Sequence, residues 1–389
     1  MERLEPVIFN DAWGSHVSIA SLTGRSIPSA LPESELWMGA HEAGPSGLRD
    51  REGETLQGLI AADPQGTLGD RNIERFGSRL PFLLKVLAPG KAISIQAHPT
   101  SEQAQQLRSG DKARAAGADE VYVDDWAKPE LLVAIAPFEV FVGLRDHAEI
   151  VTFIERLAVP RLTQLLTRTA DAPDPVHALL AAVLDTPEDD VRSLARELVA
   201  AAVRVEGVDD ELGDAASAIV RIAEEHPDDI GLVVLALMHH RVLQPGEFID
   251  VAAGVLHSYV RGLGIEVLAN SDNVVRAGLT AKPVNVPELL RIVDTAADGV
   301  AGRPREVGPG VEVFDSASDR FVLHRLSAGV APLALPGEGA RIVFSLRGGA
   351  TVACAAHQVE LGPAESAFVR ADDGEAHLVS GEAYVVAAP

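Results

Sequence analysis

The stretch Ala92-Ile93-Ser94-Ile95-Gln96-Ala97-His98-Pro99 ends an apolar run with an amide and an imidazole two residues apart. Residues i and i+2 of a β-strand point to the same face of a sheet, so the side chains of Gln96 and His98 should converge. Two polar side chains directed into an apolar interior are costly unless a partner satisfies them. A metal ion would be such a partner, and the stretch therefore predicts a sheet with a metal site inside it.

Length and composition describe an acidic globular chain. It has 389 residues, of which 47% are hydrophobic, which is enough for two or three folding units with sizeable cores. The formal net charge of -24 argues against nucleic acids and anionic membrane surfaces as partners. An anionic small molecule would need a local basic pocket. Lys85, Lys91, Lys128 and Lys282, four of the five lysines, lie in or beside the segments discussed below.

Cysteine usage and the N-terminal segment bear on location. Cys354 is the sole cysteine, which rules out an intrachain disulfide and a thiolate zinc cluster. Residues 1–6 are polar and lack the apolar core of a signal peptide, and the apolar run 231–238 is too short to span a bilayer. We therefore expect a cytoplasmic protein, and a monomer.

The patterning changes along the chain. In residues 1–145, glycine and proline punctuate short apolar runs, which predicts strands, one of them over Ala92–Ile95, with a single helix among them. That helix should begin at the capping box Thr100-Ser101-Glu102-Gln103. In residues 146–240 the apolar residues recur with the helical period, which predicts a helical insertion.

A helix start within the insertion is indicated by Thr186-Pro187-Glu188-Asp189-Asp190, with Thr186 as the N-cap and Pro187 at the first helical position. The strand pattern returns in residues 241–305, which would complete the first β unit, and continues through residues 306–389 as a separate β unit. The predicted fold class is mainly β with an α-helical insertion.

Four side chains from three segments are candidate metal ligands: Gln96, His98, Glu130 and His257. Two imidazoles, a carboxylate and an amide oxygen suit a borderline divalent metal, with zinc the first choice and manganese, cobalt or iron as alternatives. Each residue alone is weak evidence, because a single histidine on an apolar strand is more often an ordinary core residue. The combination is what indicates a metal site. Lys128 precedes Glu130 by two residues and should share its face.

A loop with two cations follows, Ala269-Asn270-Ser271-Asp272-Asn273-Val274-Val275-Arg276-Ala277-Gly278-Leu279-Thr280-Ala281-Lys282. One interpretation is an anion-binding loop, with the guanidinium of Arg276 forming a bidentate contact to a phosphate or an oxyanion. The alternative is a solvated turn that contains an ion pair between Asp272 and Arg276.

In sequence order, the motifs resemble those of the type I mannose-6-phosphate isomerases, a family of the cupin superfamily. The similar stretches are Gln96-Ala97-His98-Pro99, Lys128-Pro129-Glu130-Leu131, Gly254-Val255-Leu256-His257 and Ser271-Asp272-Asn273-Val274-Val275-Arg276-Ala277-Gly278-Leu279-Thr280, with Ala12-Trp13-Gly14-Ser15 and Glu35-Leu36-Trp37-Met38-Gly39-Ala40-His41 near the N-terminus. The similarity covers most of the chain outside the helical insertion and is weakest over the last eighty or so residues.

This resemblance implies a cupin-type jelly-roll catalytic unit, a helical domain and a second β domain. It also implies one Zn²⁺ per chain, bound by Gln96, His98, Glu130 and His257, with Arg276 as a catalytic residue. One departure stands out. The family usually has Asn-His before Lys-Pro-Glu, and this chain has Trp126 and Ala127 there.

The implied reaction interconverts mannose 6-phosphate and fructose 6-phosphate by moving a proton between C1 and C2 through an enediol. It needs a general base and a cation that stabilises the enediolate. Lys128 is either the acid or base, or a partner that orients the Glu130 carboxylate. Arg276 would stabilise the oxyanion or hold phosphate, with Asp272 orienting it. Ser94 and Lys282 are further candidates for contacts to the phosphate.

Three other functions remain open at this point. A non-haem iron dioxygenase would use two histidines and a carboxylate with open metal positions, although the amide and the basic loop favour an anionic sugar. A non-catalytic sugar-phosphate sensor would explain the missing histidine at position 127. An isomerase for another phosphorylated aldose would use the same residues, because the stereochemistry at C2 cannot be inferred from the sequence.

Overall fold

Short strands joined by turns occupy the first 145 residues, as the glycine and proline spacing predicts. The computed structural model describes residues 1–111 and 121–389. The strands of this part are β1 (Glu2–Glu5), β2 (Val7–Phe9), β3 (Glu35–Met38), β4 (Gly47–Leu48), β5 (Arg51–Thr55), β6 (Phe82–Leu87), β7 (Ile95–Ala97), β8 (Glu130–Ala134) and β9 (Phe138–Leu144). Its helices are α1 (Ser18–Leu22), α2 (Leu56–Ala62), α3 (Pro64–Leu68), α4 (Asp70–Phe76) and α5 (Ser101–Asp111).

Two expectations for this part are corrected. Helices α1 to α4 were not predicted, because helices of five to seven residues are too short to show an apolar period. The strand predicted over Ala92–Ile95 instead begins at Ile95, since the preceding residues run irregularly beside a neighbouring strand. The capping box is confirmed: Thr100 N–H donates to Gln103 Oε1 at 2.8 Å, and Gln103 N–H donates to Thr100 Oγ1 at 3.2 Å.

Helices follow one another in the next part of the chain: α6 (His147–Leu157), α7 (Pro160–Thr169), α8 (Pro175–Leu184), α9 (Glu188–Val205), α10 (Glu211–Glu225) and α11 (Gly231–Leu235). Helix α6 begins with a capping box between Asp146 and Glu149. Helix α9 begins one residue later than predicted, with Pro187 rather than Thr186 at the N-cap and no side-chain hydrogen bond there. The three acids of its first turn, which favour the positive end of the helix dipole, are as expected.

Strands return after α11. They are β10 (Met238–Leu243), β11 (Phe248–Val251), β12 (His257–Arg261), β13 (Gly264–Ala269) and β14 (Val275–Gly278), followed by helix α12 (Val286–Ile292) and β15 (Val300–Gly302). The remaining strands are β16 (Arg305–Gly308), β17 (Val311–Phe314), β18 (Val322–Ala328), β19 (Leu333–Ala334), β20 (Arg341–Ser345), β21 (Ala350–Cys354), β22 (Gln358–Leu361), β23 (Glu365–Val369) and β24 (Ala376–Ala387), with a short 3₁₀ turn at Ala371–Asp373.

Within the described ranges the strands pair antiparallel into three sheets. The five-stranded sheet has the order β10-β9-β12-β7-β14, and the seven-stranded sheet has the order β15-β11-β8-β13-β6-β3-β2. The twelve-stranded sheet contains the path β16-β17-β18-β24-β20-β23-β1-β4-β5, with β19, β21 and β22 attached. Because β1 pairs with β23, the first strand of the chain belongs to the same sheet as the last.

The sheets and helices form layers, and each gap between layers has its own apolar cluster. One cluster joins helices α6 to α12 to one face of the five-stranded sheet. A second fills the space between the five-stranded and seven-stranded sheets. A third lies between the seven-stranded and twelve-stranded sheets. The seven-stranded sheet is therefore covered on both faces, which explains why β6 and β8 are buried at every position.

The chain is thus mostly sheet with a consecutive block of helices. No described helix is both long and apolar enough to cross a lipid bilayer. The division at residues 145, 240 and 305 stays a prediction.

A buried carboxylate fastens the helices to the five-stranded sheet. Glu139 of β9 accepts hydrogen bonds from His240 at 2.9 Å and from Arg221 of α10 at 2.5 Å, and the Arg261 Nε lies 2.7 Å from it. Burial works against its ionisation, but the hydrogen bond from His240 and the two arginine charges lower the pKa of Glu139 to about 2. This carboxylate therefore stabilises the fold in its ionised form.

Glu139→Gln should lower the free energy of unfolding at pH 7 by about 1–3 kcal/mol, since it removes the negative charge that faces two arginines and replaces one acceptor oxygen by an NH₂ donor. Because folding lowers the pKa of Glu139, its contribution is complete above about pH 5 and is lost as pH falls through about 2. The difference between variant and wild type should therefore narrow in acid. Urea denaturation at several pH values measures this. Asp315→Asn, which removes an exposed pair with Arg305, is the control, and an equal loss there would contradict the assignment.

Candidate metal centre

Glu130 begins strand β8 and points into the gap between the seven-stranded and five-stranded sheets. Leu132 and Ala134, which alternate with it along the strand, belong to the apolar cluster of that gap. Leu131 and Val133 point the other way, toward the twelve-stranded sheet. Glu130 is 1% exposed. A carboxylate at such a place requires positive or hydrogen-bonding partners.

The five-stranded sheet supplies a row of polar side chains opposite Glu130. His257 of β12 is paired with Gln96 of β7, and Gln96 is paired with Arg276 of β14. Directly opposed residues of antiparallel strands point to the same face, so the three side chains form one row across the sheet. His98 follows the end of β7, and the centroid of its ring lies 5.1 Å from that of His257.

The predicted ligands converge on one point. His98 Nε2 lies 3.2 Å from Glu130 Oε1, and His257 Nε2 lies 3.4 Å from Glu130 Oε2. The side-chain amide of Gln96 is 3.3 Å from His257 Nε2, and its oxygen and nitrogen can exchange by a flip. One ligand atom from each of His98, Glu130 and His257 lies within 4.8 Å of the other two.

Hydrogen bonds to the backbone set the tautomer of both imidazoles. His98 Nδ1 is 2.7 Å from the carbonyl oxygen of Asn273, and His257 Nδ1 is 3.0 Å from that of Val255. A carbonyl oxygen only accepts, so both Nδ1 atoms carry the proton and both Nε2 atoms present a lone pair in the neutral ring. His98 Nε2 is buried and makes no hydrogen bond. Two lone pairs therefore face a carboxylate, and this arrangement needs a cation between them.

The protonation states of His98 and Glu130 suit the binding of a cation. Burial lowers the pKa of His98 to about 4, so the ring is neutral near pH 7. Burial alone would raise the pKa of Glu130, but the charge of Lys128 and the neighbouring imidazoles hold it well below the usual range. Neutral imidazoles and an ionised carboxylate are the forms that bind a divalent metal. The residues present therefore fit zinc or a metal of similar preference.

Two further groups hold the Glu130 carboxylate. Lys128 Nζ lies 3.0 Å from Glu130 Oε1, as its shared face predicts, and the hydroxyl of Tyr259 donates to Glu130 Oε2 at 3.3 Å. Burial raises the pKa of Tyr259 well above its usual value, so the hydroxyl keeps its proton. Tyr259 was not predicted from the sequence. Its position two residues after His257 on the same strand is the signal that indicates it.

A second charged cluster lies on the Glu130 side of the seven-stranded sheet. Lys85 of β6 is opposite Trp37 of β3 and Glu266 of β13, so the three side chains share a face. Lys85 Nζ is 3.4 Å from Glu35 Oε1 and 3.6 Å from Glu266 Oε2. Burial, followed by the charge of Glu130, raises the pKa of Glu266 to about 8. Sequence reasoning missed both glutamates, although each is a lone charge in or beside an apolar strand.

The basic loop lacks the ion pair between Asp272 and Arg276 that one of the two interpretations predicts. Asp272 Oδ1 lies 3.3 Å from His41 Nε2, and the hydrogen bond from His41 lowers the pKa of Asp272. Among the residues that the structure describes, no hydrogen bond or ion pair joins Asp272 to Arg276. The expected Asp272–Arg276 contact is therefore corrected, because Asp272 precedes β14 and its side chain points to His41 instead.

Arg276 is partly buried and, within residues 1–111 and 121–389, no carboxylate is paired with it. Burial lowers the pKa of its guanidinium. Ser94 is half-buried just before β7, on the approach to Gln96, and Lys282 is exposed beyond β14. The structure thus brings Arg276 into the row of ligands, and leaves Lys282 at the surface.

Comparison with known proteins decides the family. The mannose-6-phosphate isomerase of Escherichia coli (strain K12) is 34% identical over 387 residues, which cover 96% of this chain and 95% of that protein. The chain belongs to the mannose-6-phosphate isomerase family. The sequence model of the family described as "Phosphomannose isomerase type I, catalytic domain" matches residues 1–147.

Solved structures of mannose-6-phosphate isomerases share the whole fold. A point variant of phosphomannose isomerase from Salmonella typhimurium superposes with a TM-score of 0.89 at 29% identity, over 99% of this chain and 98% of that one. A mannose 6-phosphate isomerase described as bound with zinc and yttrium has a TM-score of 0.87 at the same 29% identity, with 99% and 98% covered. The resemblance of the motifs to this isomerase family is therefore confirmed.

Removing one ligand should abolish metal binding while sparing the fold. Glu130→Gln, which withdraws the only charge among the proposed ligands, should weaken zinc binding by at least ~100-fold. Zinc content after dialysis, measured by mass spectrometry, would fall from one per chain toward none. His240→Asn is a matched control, since it alters another buried histidine that faces a glutamate. Retention of zinc by Glu130→Gln, or its loss from His240→Asn, would contradict the assignment.

Proposed function

We propose that this chain catalyses the reversible interconversion of mannose 6-phosphate and fructose 6-phosphate with one bound Zn²⁺. The observation that carries the proposal is the row of His257, Gln96 and Arg276 facing Glu130. It combines a lone-pair cluster that needs a metal with an arginine that has no carboxylate partner in the described chain. In a member of this isomerase family, such a site suits a substrate that has both hydroxyls and a phosphate.

Gln96, His98, Glu130 and His257 would hold the zinc. Bound there, it would supply Lewis acidity that polarises oxygens of the sugar. The carbonyl groups of Asn273 and Val255 keep the two Nε2 atoms directed at the metal position, and Lys128 and Tyr259 keep the carboxylate in place. These contacts orient the two imidazoles and the carboxylate toward one point.

The isomerisation needs a group that removes a proton from C2 or C1 and returns it to the other carbon through an enediol. Lys128 is our first candidate, acting as the neutral amine, because its Nζ lies 3.0 Å from Glu130 and its side chain is 14% exposed, within reach of the site. Glu266 is the second, because a carboxyl group with a pKa of about 8 can give or take a proton near neutral pH. Its partner Lys85 would stabilise the ionised form.

Binding of the phosphate falls to the cations that have no acid near them. Arg276 is the candidate for a bidentate contact, either to the phosphate or to the developing enediolate. Ser94, which precedes β7, and Lys282, which follows β14, are weaker candidates. Asp272 pairs with His41 and not with Arg276, so the predicted catalytic role of orienting Arg276 is not proposed for it.

The wider predictions extend this proposal. The five-stranded and seven-stranded sheets would form a cupin-type jelly roll, and the protein would act as a cytoplasmic monomer on a free sugar phosphate. A non-catalytic sugar-phosphate sensor is the second candidate function, favoured by Ala127 at the position where the family usually has histidine.

Purified protein with zinc at one per chain should convert mannose 6-phosphate to fructose 6-phosphate, and a chelator should abolish the conversion. A coupled assay for fructose 6-phosphate follows the reaction, and added zinc should restore it. Tight binding of mannose 6-phosphate by the zinc-loaded protein without turnover would instead support the sensor. Oxygen uptake by an iron-loaded protein would support the dioxygenase.

Arg276→Ala should lower kcat by about 10²–10³-fold if the guanidinium stabilises the enediolate, the loss typical of a group that stabilises transition-state charge. Zinc content should not change, because Arg276 is not a proposed ligand. Arg303→Ala, which alters an exposed arginine paired with Glu247, is the matched control. Zinc loss in parallel with activity would show that Arg276 acts on the metal site and not on the substrate.

A further inference from the structure

Trp126 lies between two guanidinium groups that come from distant parts of the chain. The Cζ of Arg79, which follows helix α4, is 3.8 Å from the ring centroid of Trp126. The Cζ of Arg320, in the loop before β18, is 4.4 Å from the same ring. Phe76 contacts the indole edge, with centroids 6.2 Å apart. Trp126 is 5% exposed and the Arg320 side chain 12% exposed, so that cation–π contact is largely shielded from water, whereas the Arg79 side chain is 49% exposed.

The segment that contains Trp126 leads directly to Lys128 and Glu130, and it is not part of a strand. Side chains hold its backbone instead. Asn273 Oδ1 accepts from the N–H of Asp124 at 3.2 Å, and Asn273 Nδ2 donates to the carbonyl of Trp126 at 2.8 Å. The N–H of Ala127 donates to Ser101 Oγ at 2.9 Å. A segment held in this way lacks the cooperative support of a sheet, so each contact matters more.

The loop that contains Arg320 is hydrogen-bonded to strand β11, which pairs with the strand of Glu130. Asp250 of β11 accepts from Ser316 Oγ at 2.6 Å and from the N–H of Ala317 at 3.2 Å. The next residue of β11, Val251, is paired with Glu130. The guanidinium of Arg320 lies beside Asp319 at 3.0 Å, and its side chain is 12% exposed. The position of Arg320 is therefore set relative to Glu130.

We propose that Trp126, clamped between Arg79 and Arg320, is a positioning residue that holds residues 123–127 and thereby places the ammonium of Lys128 in the site. Through Arg320, the segment after β17 becomes a support of the site although it contributes no ligand. The inference rests on the proposed function, in which Lys128 acts on the sugar phosphate.

Arg320→Ala tests this, because it frees one face of the indole and leaves Lys128 and the ligands intact. Arg305→Ala is the matched control, since that arginine lies in the neighbouring strand β16 and forms an exposed pair with Asp315. Arg320→Ala should speed hydrogen exchange of peptides spanning residues 121–128 by about tenfold. It should lower kcat for mannose 6-phosphate about three- to tenfold, the range of one shielded cation–π contact. KM should stay within about twofold, and zinc content should remain at one per chain.

Two variants of Trp126 distinguish loss of the clamp from general unfolding. Trp126→Phe keeps an aromatic face between the two arginines and should retain most of the exchange protection and of kcat, whereas Trp126→Leu should behave like Arg320→Ala. The inference would be overturned if Arg320→Ala showed the same hydrogen exchange and the same kcat as Arg305→Ala. Loss of zinc from Arg320→Ala would also overturn it. If the wild type shows no turnover, the proposed function fails, and the exchange data still decide whether the clamp holds the segment.

Discussion

The arrangement around Glu130 is the constraint on which the site depends. A carboxylate that is almost completely buried faces two imidazole nitrogens whose lone pairs are directed at it by backbone hydrogen bonds. Like partial charges at such distances in an apolar interior are unfavourable unless a cation lies among them. The ammonium of Lys128 supplies part of that charge, and a metal would supply the rest. Burial is what makes an unbalanced charge in this cluster costly.

The layered sheets create that burial. Because helices cover one face of the five-stranded sheet and a third sheet covers the far face of the seven-stranded one, the gap between them is enclosed on both sides. Strand β8 is buried at all its positions for this reason, and its one charged residue, Glu130, is 1% exposed. The same enclosure raises the pKa of Glu266 and keeps Lys85 beside it. The chemistry of the site is therefore a consequence of the order of the layers.

Positions 126 and 127, where the resemblance of the motifs predicts Asn-His, have a structural setting. Trp126 occupies the first of them, and its indole is held between Arg79 and Arg320. Ala127, at the second, offers no side chain for proton transfer, and its N–H is bound by Ser101. An aromatic residue at 126 thus lies within a set of contacts drawn from three parts of the chain. A comparison of motifs shows that the residue types differ, but it does not show which contacts these residues make.

Short-range information predicted much of the fold and the convergence of the proposed ligands. The spacing of Gln96 and His98 predicted a shared site, the capping box at Thr100 predicted a helix start, and the motif Lys128-Pro129-Glu130 predicted that its two charges meet. Each of these depends on strand or helix periodicity, or on contacts within three residues. The short helices α1 to α4 and the true start of α9 were missed, because such features leave little periodic signal.

Contacts between distant segments were decided by the tertiary structure alone. The pairing of Asp272 with His41 in place of Arg276, the cluster of Lys85 with Glu35 and Glu266, and the hydroxyl of Tyr259 on Glu130 all join residues whose separation in sequence carries no information about distance. Protonation depends on burial and on neighbouring charge, and both exist only after the sheets have packed. The sequence by itself determined which residue types are available for a metal and an anionic sugar, whereas the packing of the sheets decided their partners, tautomers and charges.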